Sequence, residues 1–327
     1  MSQHLLTRPK SPAQRPRTLS GYIGQDAIVQ QLQVYIPAAR QRGEPLDHVL
    51  LMGSPGLGKT TLAQIIAHEL GAQLHVTSGP ILDKPGDLAA LLTQLAPGDV
   101  LFIDEIHRLS PTIEEILYPA MEDYQLDFII GEGPGARSMR LDLSPFCLIG
   151  ATTKPGALTA PLRDRFFIQF RLEQYSIENL RAILRQSCTQ MGIAIDDPIL
   201  DLIASRARGT PRIALRLLRR IRDFITVHDV AENLTSEKLL DYLAYLALDR
   251  EGLDTIDRRL LQCLVERYSG GPVGLETLAI SLGETKETLE DLIEPYLVQE
   301  NFIERTARGR KITPKGMSHY QLHIKAT

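Results

Sequence analysis

Short apolar runs alternate with stretches of helical periodicity through the first half of the chain. The runs Val49–Met52, Val100–Ile103 and Phe146–Ala151 contain no charged side chain, as expected for strands that are buried on both faces. Between these runs, apolar residues recur at helical spacing, for example from 61 to 70. Strands that alternate with helices predict an α/β fold, in which helices cover both faces of a mainly parallel sheet.

The pattern changes to helical periodicity alone from residue 176. Further helices between 257 and 299 are followed by a short hairpin between 302 and 313, which is the order of a winged helix. We therefore predict a large α/β domain over 1–175, an all-α domain over 176–248 and a winged-helix domain over 249–327. Prolines among polar residues predict a flexible arm over 1–14.

Length and composition fit a protein of several domains. A chain of 327 residues is too long for one core, and 43% hydrophobic with 23% charged residues is an ordinary globular composition. The three cysteines have neither disulfide nor metal-ligand spacing, which indicates a reducing compartment. Neither a membrane-spanning apolar run nor a signal peptide is recognisable, so we expect a cytoplasmic location and no membrane partner.

The net charge of −4 argues against a uniformly basic surface, but the charge is unevenly distributed. Residues 301–327 carry six basic side chains against the single acid Glu304. Such a basic patch can bind a phosphate backbone, although an ordinary solvated surface explains the same charge.

Residues 53–61 follow the first apolar run and carry the strongest chemical signal. Gly53, Gly58, Lys59 and Thr60 occupy the fixed positions of the pattern G-x-x-x-x-G-K-[ST]. Glycines allow backbone N–H groups to surround phosphate oxygens, and the start of the next helix adds partial positive charge. We expect Lys59 to reach the β- and γ-phosphates of ATP and Thr60 to hold Mg²⁺.

Two carboxylates end the apolar run at 100–103. Asp104 and Glu105 would lie at the carboxyl edge of a parallel sheet, where ligands bind in open α/β folds. Asp104 could then reach Mg²⁺ through water, and Glu105 could polarise an attacking water. An ordinary strand end would be the better interpretation if the phosphate loop were not upstream.

Arg212 is predicted in the first turn of a helix that starts after Thr210, with Pro211 at its first position. A cation in this place opposes the helix dipole. An anionic ligand explains the placement better than helix stability does, although a simple surface arginine would also fit.

A hairpin predicted from 125 to 143 bears Phe128, Ile129 and Ile130 near its tip. These apolar side chains could belong to the core or form a surface for docking a partner, and the sequence leaves both open.

The acidic residues of the predicted helix 286–299, which include Glu290 and Glu294, should repel phosphates. The following hairpin instead carries the cations Arg305, Arg308, Arg310 and Lys311. We therefore expect the hairpin to contact the DNA backbone and to read little sequence. A winged helix used for protein contacts is the alternative.

Six further segments form a specific combination with the phosphate loop. They are 104–109 (Asp-Glu-Ile-His-Arg-Leu), 118–124 (Tyr-Pro-Ala-Met-Glu-Asp-Tyr), 150–153 (Gly-Ala-Thr-Thr), 162–166 (Leu-Arg-Asp-Arg-Phe), 208–214 (Arg-Gly-Thr-Pro-Arg-Ile-Ala) and 270–275 (Gly-Gly-Pro-Val-Gly-Leu). This combination resembles the AAA+ ATPases and, more closely, the RuvB family of Holliday-junction branch-migration motors. The resemblance covers nearly the whole chain from about Arg15.

The resemblance implies a fold, an activity and partners. The fold would be an AAA+ P-loop domain, an all-α lid and a winged-helix head. The activity would be ATP hydrolysis in a hexameric ring that drives branch migration on duplex or four-way junction DNA during recombination and repair. The cofactors would be ATP and Mg²⁺. RuvA would load the ring by binding Phe128, Ile129 and Ile130, and RuvC would resolve the junction.

The resemblance also implies residue roles. Glu105 and Asp104 would be the water-activating and metal-binding acids, with Thr153 or Thr152 as the polar sensor near the γ-phosphate. Arg165 would be a finger that reaches a neighbouring subunit's nucleotide. The nucleotide-binding residues would be Gln14, Arg15, Tyr22, Ile23, Gly53, Gly56, Gly58, Lys59, Thr60, Thr61, Glu122, Asp123, Tyr124, Tyr175 and Arg212. The DNA-binding residues would be Arg305, Arg308 and Arg310.

Two other functions remain open from the residues alone. The 208–212 segment and a winged head would also suit a clamp-loader or initiator-like AAA+ switch. A non-catalytic DNA-binding scaffold is the third interpretation, and the presence of Lys59, Asp104, Glu105 and Arg165 weighs against it.

Overall fold

The structure is a computed structural model that describes residues 15–130, 137–228 and 234–324, without the side chains of 128–130 and 137–139. The chain divides into two compact units, one of Met1–Ala194 with Gly209–Arg216 and the other of Ile195–Arg208 with Leu217–Thr327. The three-domain division expected from the sequence stays a prediction.

The first unit is organised around a five-stranded sheet in the order β2-β3-β6-β1-β7, and every pair of neighbours in it is parallel. The strands of this unit are β1 (Val49–Met52), β2 (Leu74–Ser78), β3 (Val100–Asp104), β4 (Gln125–Ile130), β5 (Arg137–Asp142), β6 (Cys147–Thr152) and β7 (Ile168–Arg171). Strands β4 and β5 form a separate antiparallel hairpin, as predicted. The parallel α/β sheet is thereby confirmed.

The first unit also contains α-helices. They are α1 (Asp26–Arg42), α2 (Lys59–Leu70), α3 (Pro85–Leu92), α4 (Pro111–Glu122), α5 (Ala160–Asp164) and α6 (Ile177–Met191). Leu88 of α3 and Leu117 of α4 share one cluster with Leu101 and Leu148 of the sheet. Helix α4 begins at Pro111 because Ser110 caps it by accepting a hydrogen bond from Ile113 N.

The second unit contains helices and one hairpin. From 195 onward the helices are α7 (Asp197–Ser205), α8 (Pro211–His228, which starts in the first unit), α9 (Ser236–Tyr245), α10 (Thr255–Tyr268), α11 (Leu275–Leu282), α12 (Lys286–Thr288), α13 (Glu294–Gln299) and α14 (Pro314–His319). The hairpin consists of β8 (Ile303–Thr306) and β9 (Gly309–Ile312).

The order of α10 to α13 and the β8–β9 hairpin confirms the winged helix. The predicted helix 286–299 is interrupted by a π-helical turn at Leu289–Ile293. Helix α10 starts two residues before the predicted position because the Asp254 carboxylate accepts hydrogen bonds from the backbone N–H groups of Ile256 and Asp257. Residues 303–312 are called the wing below.

The wing is fixed to the rest of its domain by its second strand. The backbone N–H groups of Val273 and Arg310 donate to each other's carbonyl oxygens at 2.8 and 2.7 Å. Gly309 has φ 127°, and a Cβ there would collide with the Val273 carbonyl. Glycine at this turn therefore permits the close approach that holds Arg310 in place.

Candidate nucleotide site and basic wing

The phosphate loop connects β1 to α2 and depends on three glycines with positive φ, Gly53, Gly56 and Gly58. A Cβ on Gly56 would lie 2.8 Å from Thr210 Cγ2 and 2.9 Å from Arg212 Cβ. A larger side chain would thus displace the segment that starts α8. Gly53 N donates to Thr152 O at 3.2 Å, and the later N–H groups of the loop lie at the start of α2, where an anion can bind.

Lys59 is 7% exposed, and its Nζ donates to the carbonyls of Gly53 at 2.7 Å and Ser54 at 3.1 Å. Burial lowers the pKa of this ammonium group, while the nearby carboxylates of Glu105 and Asp104 act in the opposite direction. A buried ammonium held only by carbonyl oxygens can exchange them for phosphate oxygens, which carry more negative charge.

Glu105 stands directly after β3 in the left-handed region, with φ 48°. Its Oε2 accepts a hydrogen bond from Thr153 Oγ1 at 3.1 Å and lies 3.3 Å from His107 Nδ1. The same ring nitrogen is 3.0 Å from Thr152 Oγ1. Because β3 pairs with β6 in parallel, Thr152 and Thr153 at the end of β6 lie near Glu105 at the end of β3. Thr153 contacts Glu105 directly, whereas Thr152 contacts it through His107.

His107 was missed by sequence reasoning. It lies in the 3-10 turn Ile106–Arg108, which folds the chain back towards the end of β6. Its position two residues after Glu105 could have indicated this contact, because a tight turn after a strand brings residues at this spacing close together.

Thr60 and Asp104 offer a hydroxyl and a carboxylate, the hard oxygen ligands that Mg²⁺ prefers. The Asp104 Oδ1 accepts a hydrogen bond from Glu105 N at 3.0 Å. Within the described ranges, no group of three His, Cys, Asp or Glu side chains could hold a metal alone. This donor set fits an ion that completes its shell with nucleotide phosphates and water.

Two tyrosines border the other side of the loop. The hydroxyls of Tyr22 and Tyr175 are 3.0 Å apart, and Tyr175 Oη donates to Leu57 O at 3.1 Å. Burial is the main cause that raises the pKa of both phenols, so they stay neutral donors. The half-buried Ile23 follows Tyr22 along the chain.

Of the other predicted nucleotide contacts, Arg212 reaches the loop, because its backbone N donates to Gly56 O at 3.4 Å. Thr60 and Thr61 are half-buried in the first turn of α2. Arg15 is exposed and lines a cleft with Gln64 and His68 of α2. Gln14 lies outside the described residues, as do the side chains of Phe128, Ile129 and Ile130.

Arg165 follows α5 and packs on α4. Its guanidinium lies 4.2 Å from the ring centroid of Tyr118, Nη2 is 3.1 Å from Glu122 Oε1, and Nη1 donates to Pro161 O at 2.8 Å. The side chain is 21% exposed.

Asp123 and Tyr124 complete the predicted nucleotide contacts of 122–124. Asp123 is exposed, and the Tyr124 ring packs against Phe146 with centroids 5.8 Å apart.

The wing arginines have partners that the sequence did not reveal. Arg305 and Arg310 lie opposite each other in the β8–β9 register, and both reach the Glu294 carboxylate. Arg310 Nη2 is also 3.2 Å from Glu290 Oε1. Arg308 is exposed at the turn. The Glu294 side chain is fully buried against these arginines, and the expectation that the acids of this helix repel phosphates stays a prediction.

No helix in the described part of the chain has the length and apolar character needed to cross a membrane.

Domains of known protein families match almost the whole chain. Residues 14–172 match the Holliday junction DNA helicase RuvB P-loop domain, 175–249 the RuvB AAA lid domain and 250–321 the RuvB C-terminal winged helix domain. A structure of the Thermotoga maritima RuvB Holliday junction branch migration motor is 48% identical, with a TM-score of 0.86, and the match covers 95% of this chain and 99% of that one. A mutant of the same protein gives 48% identity and a TM-score of 0.87, with 95% and 100% covered. The chain therefore belongs to the RuvB family of AAA+ ATPases, the motors of Holliday junction branch migration.

Proposed function

We propose that ATP is hydrolysed at the carboxyl edge of this chain's parallel sheet and that the wing transmits the work to duplex DNA. The observation that carries this proposal is the joint placement of Lys59 and Glu105. The buried ammonium lies on the carbonyls of the phosphate loop, and the carboxylate is held by Thr153 at 3.1 Å. The three RuvB domain matches leave the clamp-loader, initiator and scaffold alternatives without support.

Binding begins with the phosphates. The backbone N–H groups of 56–60 surround them, and Lys59 exchanges its two carbonyl partners for β- and γ-phosphate oxygens. Thr60 and Asp104 would hold Mg²⁺, which when bound neutralises charge on these phosphates. Arg212 adds a cation from the start of α8.

The base of the ATP would lie against Tyr22, Ile23 and Tyr175, with Gln14 and Arg15 beside it. Glu122, Asp123 and Tyr124 are expected to act at a nucleotide contact. Because Glu122 of α4 pairs with Arg165 and the other two residues follow it, we assign all three with Arg165 to the nucleotide of a neighbouring subunit.

Glu105 would accept the proton of the attacking water. Thr153 and His107 keep Oε2 oriented. A carboxylate that is already oriented loses less conformational entropy on reaching the transition state. Arg165 from the neighbouring subunit would stabilise the charge that develops on the transferred phosphoryl group.

The assembly follows from these roles. A finger that acts on another subunit's nucleotide requires a ring, which we propose is a hexamer on duplex or four-way junction DNA. RuvA would bind Phe128, Ile129 and Ile130, and RuvC would join in the resolving complex. Arg305, Arg308 and Arg310 would contact the DNA backbone. A cytoplasmic location is proposed for this activity. The proposed domains remain 1–175, 176–248 and 249–327.

The decisive experiment measures ATP-dependent dissociation of a synthetic four-way junction, with and without RuvA. Wild-type protein should dissociate the junction. Glu105→Gln should bind ATP but hydrolyse it about 10²-fold more slowly or worse, and should leave the junction intact. Glu115→Gln is the matched control, because this exposed acid lies on the same unit without a role in the site. Normal turnover by Glu105→Gln would remove it as the base.

A further inference from the structure

The wing places two arginines on one buried carboxylate. Arg310 Nε lies 2.6 Å from Glu294 Oε1, and Arg310 Nη2 lies 3.1 Å from Oε2. Arg305 Nη2 approaches the same Oε2 at 2.8 Å. The Glu294 side chain is 0% exposed. A single carboxylate at the first residue of α13 therefore determines the direction of both guanidinium groups on the opposite hairpin.

The two arginines keep donors for a further anion. Arg305 uses one nitrogen in the ion pair, and its side chain is 48% exposed. Arg310 is engaged through Nε and Nη2, so its Nη1 has two N–H donors outside the pair with Glu294. Because both residues lie opposite each other across the strands, these donors form one row on one face of the wing.

We propose that Glu294 is a positioning residue for phosphate binding by the wing. It does not touch DNA; it holds Arg305 and Arg310 in the rotamers that contact two phosphates of a duplex backbone. An arginine that is already oriented loses less side-chain freedom on binding. Glu294 also offsets the repulsion between two adjacent guanidinium groups. The inference rests on the proposed contact between the wing and DNA.

A second explanation gives Glu294 no positioning role and treats it as one more negative charge beside the wing. The two explanations predict opposite changes when that charge is removed. Positioning predicts weaker binding, because two arginines become mobile. Simple charge predicts tighter binding, because a repulsive group near the phosphates disappears.

Glu290 provides the matched control. It stands four residues before Glu294, and its Oε1 lies 3.2 Å from Arg310 Nη2, but its side chain is 44% exposed. It contacts one arginine, whereas Glu294 contacts both. Glu290→Gln therefore removes the same charge from nearly the same place while it leaves the shared carboxylate intact.

The test measures binding of the full chain to a labelled duplex by fluorescence anisotropy over a range of salt concentrations, with Mg²⁺ and a non-hydrolysable ATP analogue. Glu294→Gln should weaken binding by about tenfold and lower the salt slope by about one phosphate contact. Glu290→Gln should bind as tightly as wild type or more tightly. Glu294→Gln binding as tightly as Glu290→Gln would overturn the proposal.

A variant that keeps the charge covers the case in which Glu294→Gln fails to fold. Glu294→Asp retains the carboxylate but draws it back by one methylene, so positioning predicts weaker binding and simple charge predicts no change. The Arg305→Ala, Arg310→Ala double variant separates the two proposals. If it binds DNA like wild type, the wing contact and the role of Glu294 both fall. If it loses binding while both Glu294 variants keep it, only the positioning role falls.

Discussion

Arg165 after α5 was predicted to reach the nucleotide of a neighbouring subunit, and Arg310 in the wing was predicted to contact DNA. In the structure, each pairs with a glutamate of its own compact unit. Arg165 Nη2 is 3.1 Å from Glu122, whose side chain is 54% exposed. Arg310 Nε is 2.6 Å from Glu294, whose side chain is 0% exposed.

This difference in exposure separates a releasable arginine from a fixed one. An exposed ion pair contributes about 0–1 kcal/mol and is screened by salt. Removal of one partner from a buried pair costs about 3–5 kcal/mol, because the other charge stays buried. A phosphate can therefore replace Glu122 as the ionic partner of Arg165 at little cost, while Tyr118 and Pro161 O still contact the guanidinium. Arg310 instead would have to bind a phosphate from where Glu294 holds it.

The largest effect is expected on ATP turnover when Arg165, the arginine with the exposed partner, is removed. Arg165→Ala should lower ATP turnover by about 10³-fold, because the transition state would lose the proposed arginine finger, while nucleotide binding persists. Arg163→Ala should leave turnover near wild type, since that side chain is 48% exposed and its ion pair with Asp164 is long, at 4.0 Å. Steady-state ATPase assays decide between them.

Mixing experiments show whether Arg165 acts on a neighbour. Rings assembled from Arg165→Ala and Lys59→Ala chains contain some sites with an intact loop beside an intact finger, so part of the turnover should return. If mixed rings form and no turnover returns, Arg165 works within its own subunit. The distinction between an arginine released to a neighbour and the fixed Arg310 would then fail.

The sequence predicted the nucleotide edge better than the wing for a physical reason. The spacing of Gly53, Gly58, Lys59 and Thr60 is a local constraint, and parallel strands bring Glu105 and Thr153 to one edge by topology alone. The burial of Glu294 instead depends on how α13 packs against a hairpin that follows it in the chain. A charge pattern cannot show that packing.

Two regularities could have indicated the missed partners. Glu290 and Glu294 are four residues apart, as are Tyr118 and Glu122, so each pair lies on one helical face. An arginine that reaches such a face from a neighbouring element meets two side chains at once. In both regions, the residue that holds the arginine belongs to such a pair.

A smaller effect is expected on stability when the fixed arginine is removed. Arg310→Ala should lower the free energy of local opening of the wing by about 3 kcal/mol, because Glu294 keeps only Arg305 as a partner. Amide hydrogen exchange over 303–312 measures this change. Arg308→Ala should change it by less than about 0.5 kcal/mol, since that side chain is exposed at the turn.

The double variant Arg310→Ala, Glu294→Gln then tests the cause. A neutral amide costs less to leave without its partner than a carboxylate does, so part of the lost protection should return. Protection that stays as low as in Arg310→Ala would mean that packing, and not the buried charge, fixes the wing.

The smallest effect is expected for Glu122→Gln, because this change removes only the carboxylate of the exposed ion pair. The free energy of unfolding should change by less than about 1 kcal/mol. Release of Arg165 should raise kcat by no more than about fivefold, the factor that 1 kcal/mol allows. If Glu122 also contacts ATP, KM for ATP should rise while kcat does not fall. A kcat that falls as far as in Arg165→Ala would show that Glu122 holds the finger as firmly as Glu294 holds Arg310, and the exposed pair would then be as essential as the buried one.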